Sequence, residues 1–347
     1  MPWTKSISKP DAPKKTASNT GIERRLKYSE AILEATAELL ASDPNVFVIG
    51  EGVDDSGGVF GTTRGLAERF GPKRVLDTPL AENAMTGIAI GAAIAGMRPI
   101  LVHMRMDFTP LSMDQIINHA AKWHYMFGGR AKVPLTIRGI IGRGWGSGAQ
   151  HSQSLHPLFA HIPGLKVVMP ATPYDAKGLL RSAVLDDNPV IFIEHRRLFD
   201  IAGHVPEGPY TVEIGKAAVS RYGTDVTIAA LSQMNIEALA AAETLENDGI
   251  SCEVIDLRSV KPLDSALVTS SVRKTGRLIV AEPGWRDFAV GAELITRVAE
   301  EAIDAFRAAP MRITLPECPT PAGPSLEEAF YPGSIDITAA VKRLLNK

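Results

Sequence analysis

A chain of 347 residues is long enough for two domains, each burying its own core. Apolar residues make up 45% and charged residues 22%, and the formal net charge is −2. This is ordinary globular composition, and no global field favours nucleic acid or an anionic membrane. Cys252 and Cys318 are the only cysteines and form no C-x-x-C pair, which argues against a disulfide framework and a cysteine-built metal site.

Residues 1–24 are polar and without periodicity, and read as a disordered arm. Apolar residues at helical spacing predict a helix from Lys27 to Leu40, stopped by Ser42-Asp43-Pro44-Asn45. Val46 to Gly50 reads as a buried parallel strand that delivers Glu51 at its carboxyl end. Asp54 to Gly61 reads as loop, Thr63 to Phe70 as helix and Arg74 to Thr78 as strand. A helix then opens at Glu82. Its Gly87, Ala89, Gly91, Ala92, Ala93 and Ala95 have almost no side-chain bulk. Glycine costs a helix about 1 kcal/mol relative to alanine, so close approach of another backbone is the expected reason. The apolar run ends at Arg98-Pro99, short of the ~20 residues a membrane span needs.

Further strands are predicted at Ile100–Met104, Val133–Gly139, Leu165–Met169 and Val190–Glu194, with helices at Pro110–Lys122 and Pro173–Leu185. A glycine-rich loop, 142–148, precedes Gln150-His151-Ser152. The proline- and glycine-rich stretch 202–210 marks a boundary, with the linker at 204–212. A second series follows, with strands at 226–231, 252–256, 277–281 and 311–314, and helices at 235–248, 267–274, 289–306 and 337–345. Strands alternating with helices predict two three-layer α/β/α domains with mostly parallel sheets, at 25–203 and 213–347. No apolar signal region opens the chain, and a soluble cytoplasmic protein is expected.

Each candidate site residue also has a plainer reading. Glu82 can be a first-turn glutamate favoured by the helix dipole, or an acid sharing its proton with a ligand nitrogen in a dry pocket. His151 can be structural or can follow a loop that lets backbone approach a ligand. No H-E-x-x-H, G-x-S-x-G, G-x-G-x-x-G or Walker A pattern is present, which speaks against a zinc protease, a hydrolase elbow and the usual nucleotide sites. Phe108 and Trp145 can stack on a flat ring or serve packing. Asp256 to Asp264 reads most simply as a strand-to-helix turn with local ion pairing.

From about Arg25 onward the chain resembles the beta subunit of the thiamine-diphosphate-dependent 2-oxo acid dehydrogenases, the pyruvate, branched-chain and acetoin types. The resemblance rests on Gly50-Glu51, Gly58-Val59-Phe60-Gly61-Thr62-Thr63-Arg64-Gly65-Leu66, Asp77-Thr78-Pro79-Leu80-Ala81-Glu82, Asp114-Gln115-Ile116-Ile117-Asn118 and Ala149-Gln150-His151-Ser152-Gln153. Pro163 to Val168, Asp175 to Leu180, Asp187-Asn188-Pro189 and the 256–264 turn extend it. Tyr125 to Gly129 and Gly58 to Gly61 look most like the acetoin type. The resemblance implies a transketolase-like pyrimidine-binding domain followed by a transketolase C-terminal-like domain. It implies that Glu82 hydrogen-bonds the pyrimidine nitrogen of thiamine diphosphate and promotes the tautomer that activates the thiazolium carbon. Phe108 would stack on the pyrimidine, Met104 and Leu80 would line its pocket, Glu51 would relay protons, and His151 would face the substrate or the lipoyl arm.

A structural potassium ion would be held by carbonyls at Leu135, Ala183, Val184, Asp186 and Asn188. The magnesium-diphosphate motif, Gly-Asp-Gly, is absent from this chain and in the resembled family lies on the alpha subunit. An alpha partner holding Mg2+, an α2β2 tetramer and a lipoyl-bearing acyltransferase core are therefore implied. Alternatives are a split transketolase-like two-carbon transferase subunit and a non-catalytic docking subunit. Arg105, Met106, Arg143 and Trp145 depart from the family pattern. The two arginines read either as members of ion pairs or as a cationic feature at the site mouth.

Overall fold

The structure, a computed structural model, describes residues 24–143 and 146–346. Trp145 and the arm expected over 1–24, Arg24 excepted, lie outside those residues.

The first half builds a seven-stranded sheet. Its strands are β2 (Val46–Gly50), β3 (Val75–Asp77), β4 (Arg98–His103), β5 (Thr136–Ile141), β6 (Lys166–Val168) and β7 (Val190–His195), with one visitor from the second half, β12 (Ser259–Lys261). The order is β12-β6-β7-β5-β4-β2-β3, and every pair is parallel except β12 with β6. The second half builds a five-stranded sheet from β9 (Ala218–Arg221), β10 (Val226–Ala230), β11 (Cys252–Asp256), β13 (Leu278–Trp285) and β14 (Met311–Leu315). Its order is β14-β13-β10-β11-β9, with β9 antiparallel to the rest. A small antiparallel pair, β1 (Arg25–Lys27) with β8 (Ala202–His204), ties the start of the first half to its end.

The central strands are buried along their whole length, as helices on both faces require. The long helices Tyr28–Ser42, Pro173–Leu185, Gln233–Glu246 and Val290–Ala302 fall where periodicity predicts them, within a few residues at each end. One apolar cluster runs from the first sheet through Leu155, Phe159 and Val260 to Leu257 and Leu294 of the second. The two sheets therefore share part of one core.

Three features depart from the sequence reading. The expected helix Pro110–Lys122 is a 3-10 segment, Met106–Ser112, followed by a π-turn stretch, Gln115–Ala120. Pro110 lies inside the first segment, where it has no N–H for a ladder, and Ala121 N–H reaches back five residues to the carbonyl of Ile116. The 256–264 turn also contains β12, which pairs with the other sheet. The boundary stretch runs over the Pro173–Leu185 helix: Val212 packs on Gly178, Tyr210 stacks on Tyr174 at 4.7 Å, and the Tyr210 hydroxyl donates to the Tyr174 carbonyl. Glycine at 178 leaves room for both side chains.

Among the described residues no helix is long and apolar enough to cross a membrane.

Candidate active site

In the seven-stranded sheet the chain winds from β2 to β3 on one side and to β4 on the other. The crevice outside the carboxyl ends of β2 and β4 is therefore the topological switch point, where open α/β sheets bind ligands. Gly50 makes the approach close: a Cβ there would run into the Val102 carbonyl of β4.

Three carboxylates gather on the β2–β3 side. Glu51 follows β2 directly and is half-buried, and its Oε1 is buried without a protein partner. Burial, then the charges of Glu82 and Asp77, raise its proton affinity above the usual carboxylate range. Asp77 ends β3, and its Oδ1 accepts from Gly52 N–H at 2.7 Å. Glu82 is the first residue of the Glu82–Ile94 helix and is half-buried. Its backbone carbonyl accepts from the Thr86 hydroxyl at 2.8 Å, and among the described residues no hydrogen bond holds its carboxylate. A Cβ at Gly52 would meet the Met104 methyl, so Met104 packs against the turn after Glu51.

Aromatic groups occupy the middle. Phe108 is half-buried in the 3-10 segment after β4, and His151 stands edge-on to it, 5.3 Å between ring centroids at 80°. His151 is exposed. A pin between the same two segments fixes this contact. Asp107 Oδ1 accepts from both the N–H and the side-chain amide of Gln153, each at 3.0 Å. Burial raises the Asp107 proton affinity, and the Gln153 bonds oppose the rise.

Beyond β4 the sheet edge turns cationic. Arg105 is buried, donates to the Gly142 carbonyl at 3.0 Å and lies 5.7 Å from the centre of the Phe60 ring. Arg196, after β7, lies 5.2 Å from the centre of the same ring. Arg143 sits 5.1 Å from the centre of the Tyr331 ring and donates to the Glu327 carbonyl. His195 ends β7 and is fully enclosed. A Cβ at Gly142, whose φ is +82°, would collide with its ring. Burial, then Arg197, Arg143 and Arg105, pull its pKa down to about 3, and burial pulls that of His103 down to about 4. The His195 Nδ1 accepts from Arg197 N–H, so the neutral ring carries its hydrogen on Nε2.

These two histidines fix a pH response. Both folded pKa values lie below the unfolded value of roughly 6.5. Their contribution to stability is full above pH 6.5 and is lost as pH falls toward 4 and 3. The Cε1–H resonances of His103 and His195 are expected to stay constant from pH 8 to pH 5. A titration of either within that window would contradict the enclosure described.

The structure brings together Glu51, Glu82 and Met104 on one side and Phe108 and His151 on the other. Leu80 is 81% exposed in the single chain. The five residues of the expected potassium site lie at the opposite end of the sheet. There the guanidinium of Arg98 donates to the Val184 carbonyl at 2.9 Å and the Asp186 carbonyl at 3.1 Å, and Lys166 pairs with the Asp186 carboxylate. The carbonyls of Ala183 and Leu135 accept from Asp186 N–H and Val190 N–H. A fixed guanidinium already places positive charge on two of the five oxygens, so the fit to a further monovalent cation is poor. Melting temperatures in potassium chloride and choline chloride at equal ionic strength are expected to agree. A rise of several degrees specific to potassium would reinstate the ion.

Sequence reasoning did not find Asp107, Gln153, His195 or the Arg138–Glu194 pair. The last had a usable signal, because each is a lone charge inside an otherwise apolar strand and such charges must pair. A surface groove lined by Leu26, Leu33 and Glu34 lies along the Tyr28–Ser42 helix, apart from these strand ends.

Comparison with known proteins identifies two transketolase-like domains. Residues 24–200 match the transketolase pyrimidine-binding domain and residues 215–337 the transketolase C-terminal domain. The chain is 44% identical over 332 residues to the beta subunit of acetoin:2,6-dichlorophenolindophenol oxidoreductase from Cupriavidus necator, covering 93% of this chain and 98% of that one. It is 44% identical over 320 residues to the beta subunit of the pyruvate dehydrogenase E1 component from Rickettsia felis, covering 92% and 98%. A solved split-gene transketolase, an inactive beta4 tetramer, superposes with a TM-score of 0.73 at 26% identity, covering 92% of this chain and 98% of that one.

Proposed function

This chain belongs to the family that holds the beta subunits of pyruvate dehydrogenase E1 and of acetoin oxidoreductase, and from that membership we propose that it is the beta subunit of a thiamine-diphosphate-dependent 2-oxo acid or acetoin dehydrogenase. The observation that carries the proposal is the crevice between β2 and β4. A buried, unpartnered oxygen of Glu51 and the half-buried Glu82 lie on one side of it, and the half-buried ring of Phe108 lies on the other. That set suits a flat, weakly basic nitrogen ring: one acid to meet a ring nitrogen, a second to relay a proton, an aromatic face to stack on. The 44% identity to the two dehydrogenase subunits, against 26% to the split transketolase, favours oxidative cleavage over two-carbon transfer.

When bound, thiamine diphosphate would supply the electron sink for breaking the bond beside the substrate carbonyl. The protein's part is protonation and placement. Glu82 would hold a proton at the pyrimidine nitrogen. Glu51, whose proton affinity is raised by burial and then by its acidic neighbours, would take up and return a proton beside it. Phe108 and Met104 would exclude water from the ring. His151, exposed at the mouth and braced by Phe108 and the Asp107–Gln153 pin, would move a proton to or from the substrate oxygen or meet a lipoyl group.

Only half of the cofactor's needs are met here, since no Gly-Asp-Gly run exists to hold Mg2+ and the diphosphate. A separate alpha chain would supply them. The Glu82–Ile94 helix offers a face for it: Ala84, Ile88, Gly91 and Ala95 are exposed in the single chain, and a Cβ at Gly91 would meet nothing within 4 Å. Covered by a partner, that face and Leu80 would complete the pocket. We infer an α2β2 assembly in the cytoplasm that passes its acyl product to a lipoyl-bearing acyltransferase.

The test is co-expression with an alpha-subunit gene product from the same genome, addition of thiamine diphosphate and Mg2+, and dye-coupled oxidation of 2-oxo acids and acetoin. Turnover of at least one is expected. Turnover of none by an assembled complex would end the proposal.

A further inference from the structure

We infer that Arg105 receives a second anionic group of the substrate, remote from the reacting carbonyl, so that the preferred substrate is a dianionic 2-oxo acid. The inference rests on the proposed function and adds the class of molecule on which it acts.

The carboxyl edge of the seven-stranded sheet is polarised. Asp77, Glu51 and Glu82 lie at the β3–β2 end, Phe108 and His151 after β4 and β5, and Arg105, Arg143 and Arg196 toward the β5–β7 end. A small acid whose carbonyl meets His151 has cationic groups on the side away from the carboxylates.

Arg105 is the member of that group built to bind an anion. Its residue is only 5% exposed, yet no carboxylate lies within ion-pair distance among the described residues. The other enclosed arginines differ. Arg138 is paired with Glu194, and Arg258 with Asp175 at 2.7 Å. A guanidinium has five N–H bonds. Protein acceptors take two of Arg105's, the Gly142 carbonyl at 3.0 Å and the Ser147 hydroxyl at a long 3.5 Å. Asp107 draws on it from a distance, but its Oδ1 is committed to Gln153. Phe60 supports one face of the group without neutralising it. Arg143 adds positive charge nearby, its own contacts being a carbonyl and a ring. A partly desolvated guanidinium with donors unused among the described residues, on the carboxyl edge that also carries His151, matches a planar carboxylate or a sulfonate.

The test uses the complex with its alpha partner, thiamine diphosphate and Mg2+, and compares 2-oxo acids of equal length ending in methyl, carboxylate or sulfonate. The wild type is expected to prefer the charged tails in kcat/KM. Arg105→Gln should lower kcat/KM for those tails by about 30-fold or more, the scale of truncating one side of a buried charge pair. Methyl-tailed acids should stay within about threefold, which also shows that the variant folds. Arg105→Lys should recover part of the charged-tail activity, because it keeps the charge and loses the fork.

Equal loss on all tails, or no wild-type preference, would overturn the inference and leave Arg105 a positioning residue for the Gly142 loop. Equilibrium binding of glutarate and butyrate to the complex decides the matter apart from turnover. Tighter glutarate binding that Arg105→Gln abolishes supports the inference even if neither a 2-oxo acid nor acetoin is turned over. That last outcome would sink the proposed function alone. Equal binding of the two would overturn the inference alone.

Discussion

Glu82→Gln, reassembled with the alpha partner and supplied with thiamine diphosphate and Mg2+, is expected to lose about 10²- to 10⁴-fold in turnover while folding and assembling normally. The substitution keeps size and shape, and the carboxylate it removes makes no hydrogen bond among the described residues. The helix loses a favourable first-turn charge, about 0.3–1 kcal/mol, which a protein of this size tolerates. The Thr86 hydroxyl still finds the backbone carbonyl of residue 82. What disappears is the carboxyl that, in the proposed function, shares a proton with the bound ring nitrogen, a task the amide replacement cannot perform. A second consequence distinguishes this loss from general damage. Part of Glu51's raised proton affinity comes from Glu82's charge, so in the variant the Glu51 carboxyl should ionise at lower pH. Gel filtration with the partner, a melting curve and a substrate-dependent rate check the prediction. Wild-type turnover in an intact complex would remove Glu82 from the chemistry.

Arg138→Met is expected to be the most damaging of the core substitutions, costing about 3–5 kcal/mol in unfolding free energy. Arg138 on β5 and Glu194 on β7 form a two-pronged pair, with bonds of 2.6 and 2.9 Å, and both side chains are fully buried. Thr62 accepts a further bond from Arg138 at 2.9 Å, fastening the loop before the Leu66–Phe70 helix. Removing the cation leaves a carboxylate buried without compensation. Arg138→Met with Glu194→Leu should regain most of the loss, because an apolar pair of similar volume bears no desolvation penalty. Urea midpoints of the single and double variants decide this. A single variant within about 0.5 kcal/mol of wild type would show that the pair is wetter than described. The pair also bears on function: β5 delivers Gly142 and Arg143, and β7 delivers His195 and Arg196.

Arg105 and Arg138 share a residue type and opposite circumstances. Arg138 is spent on a carboxylate of its own chain, and Arg105, among the described residues, is not. Composition cannot tell them apart, and the sequence around them marks only Arg138, a lone charge inside an apolar strand. Each follows or lies within an apolar strand.

Much of the molecule was legible before any coordinates. The apolar runs 46–50, 190–194 and 252–256 could only be buried parallel strands, since their hydrophobicity is continuous rather than alternating. Glu51 and Glu82 were marked by position, one directly after a strand and one in a helix first turn. Local pattern failed at Pro110–Lys122, where helical spacing of apolar residues concealed a 3-10 segment and a π-turn stretch. It failed also at 259–261, too short a run to signal a strand that adds to the other sheet.

The sequence alone determined which segments become strands and helices and which acids stand at their ends, because hydrophobic period and capping act over a few residues. It also determined that the chain lacks a diphosphate-binding motif of its own. Only the tertiary structure decided that carboxylates and guanidiniums collect at opposite ends of one sheet edge. It alone set Arg98 on the carbonyls of Val184 and Asp186 and gave Arg105 the Gly142 carbonyl, with no carboxylate among the described residues. Those outcomes depend on strand order and on contacts between residues tens of positions apart, which no local periodicity encodes.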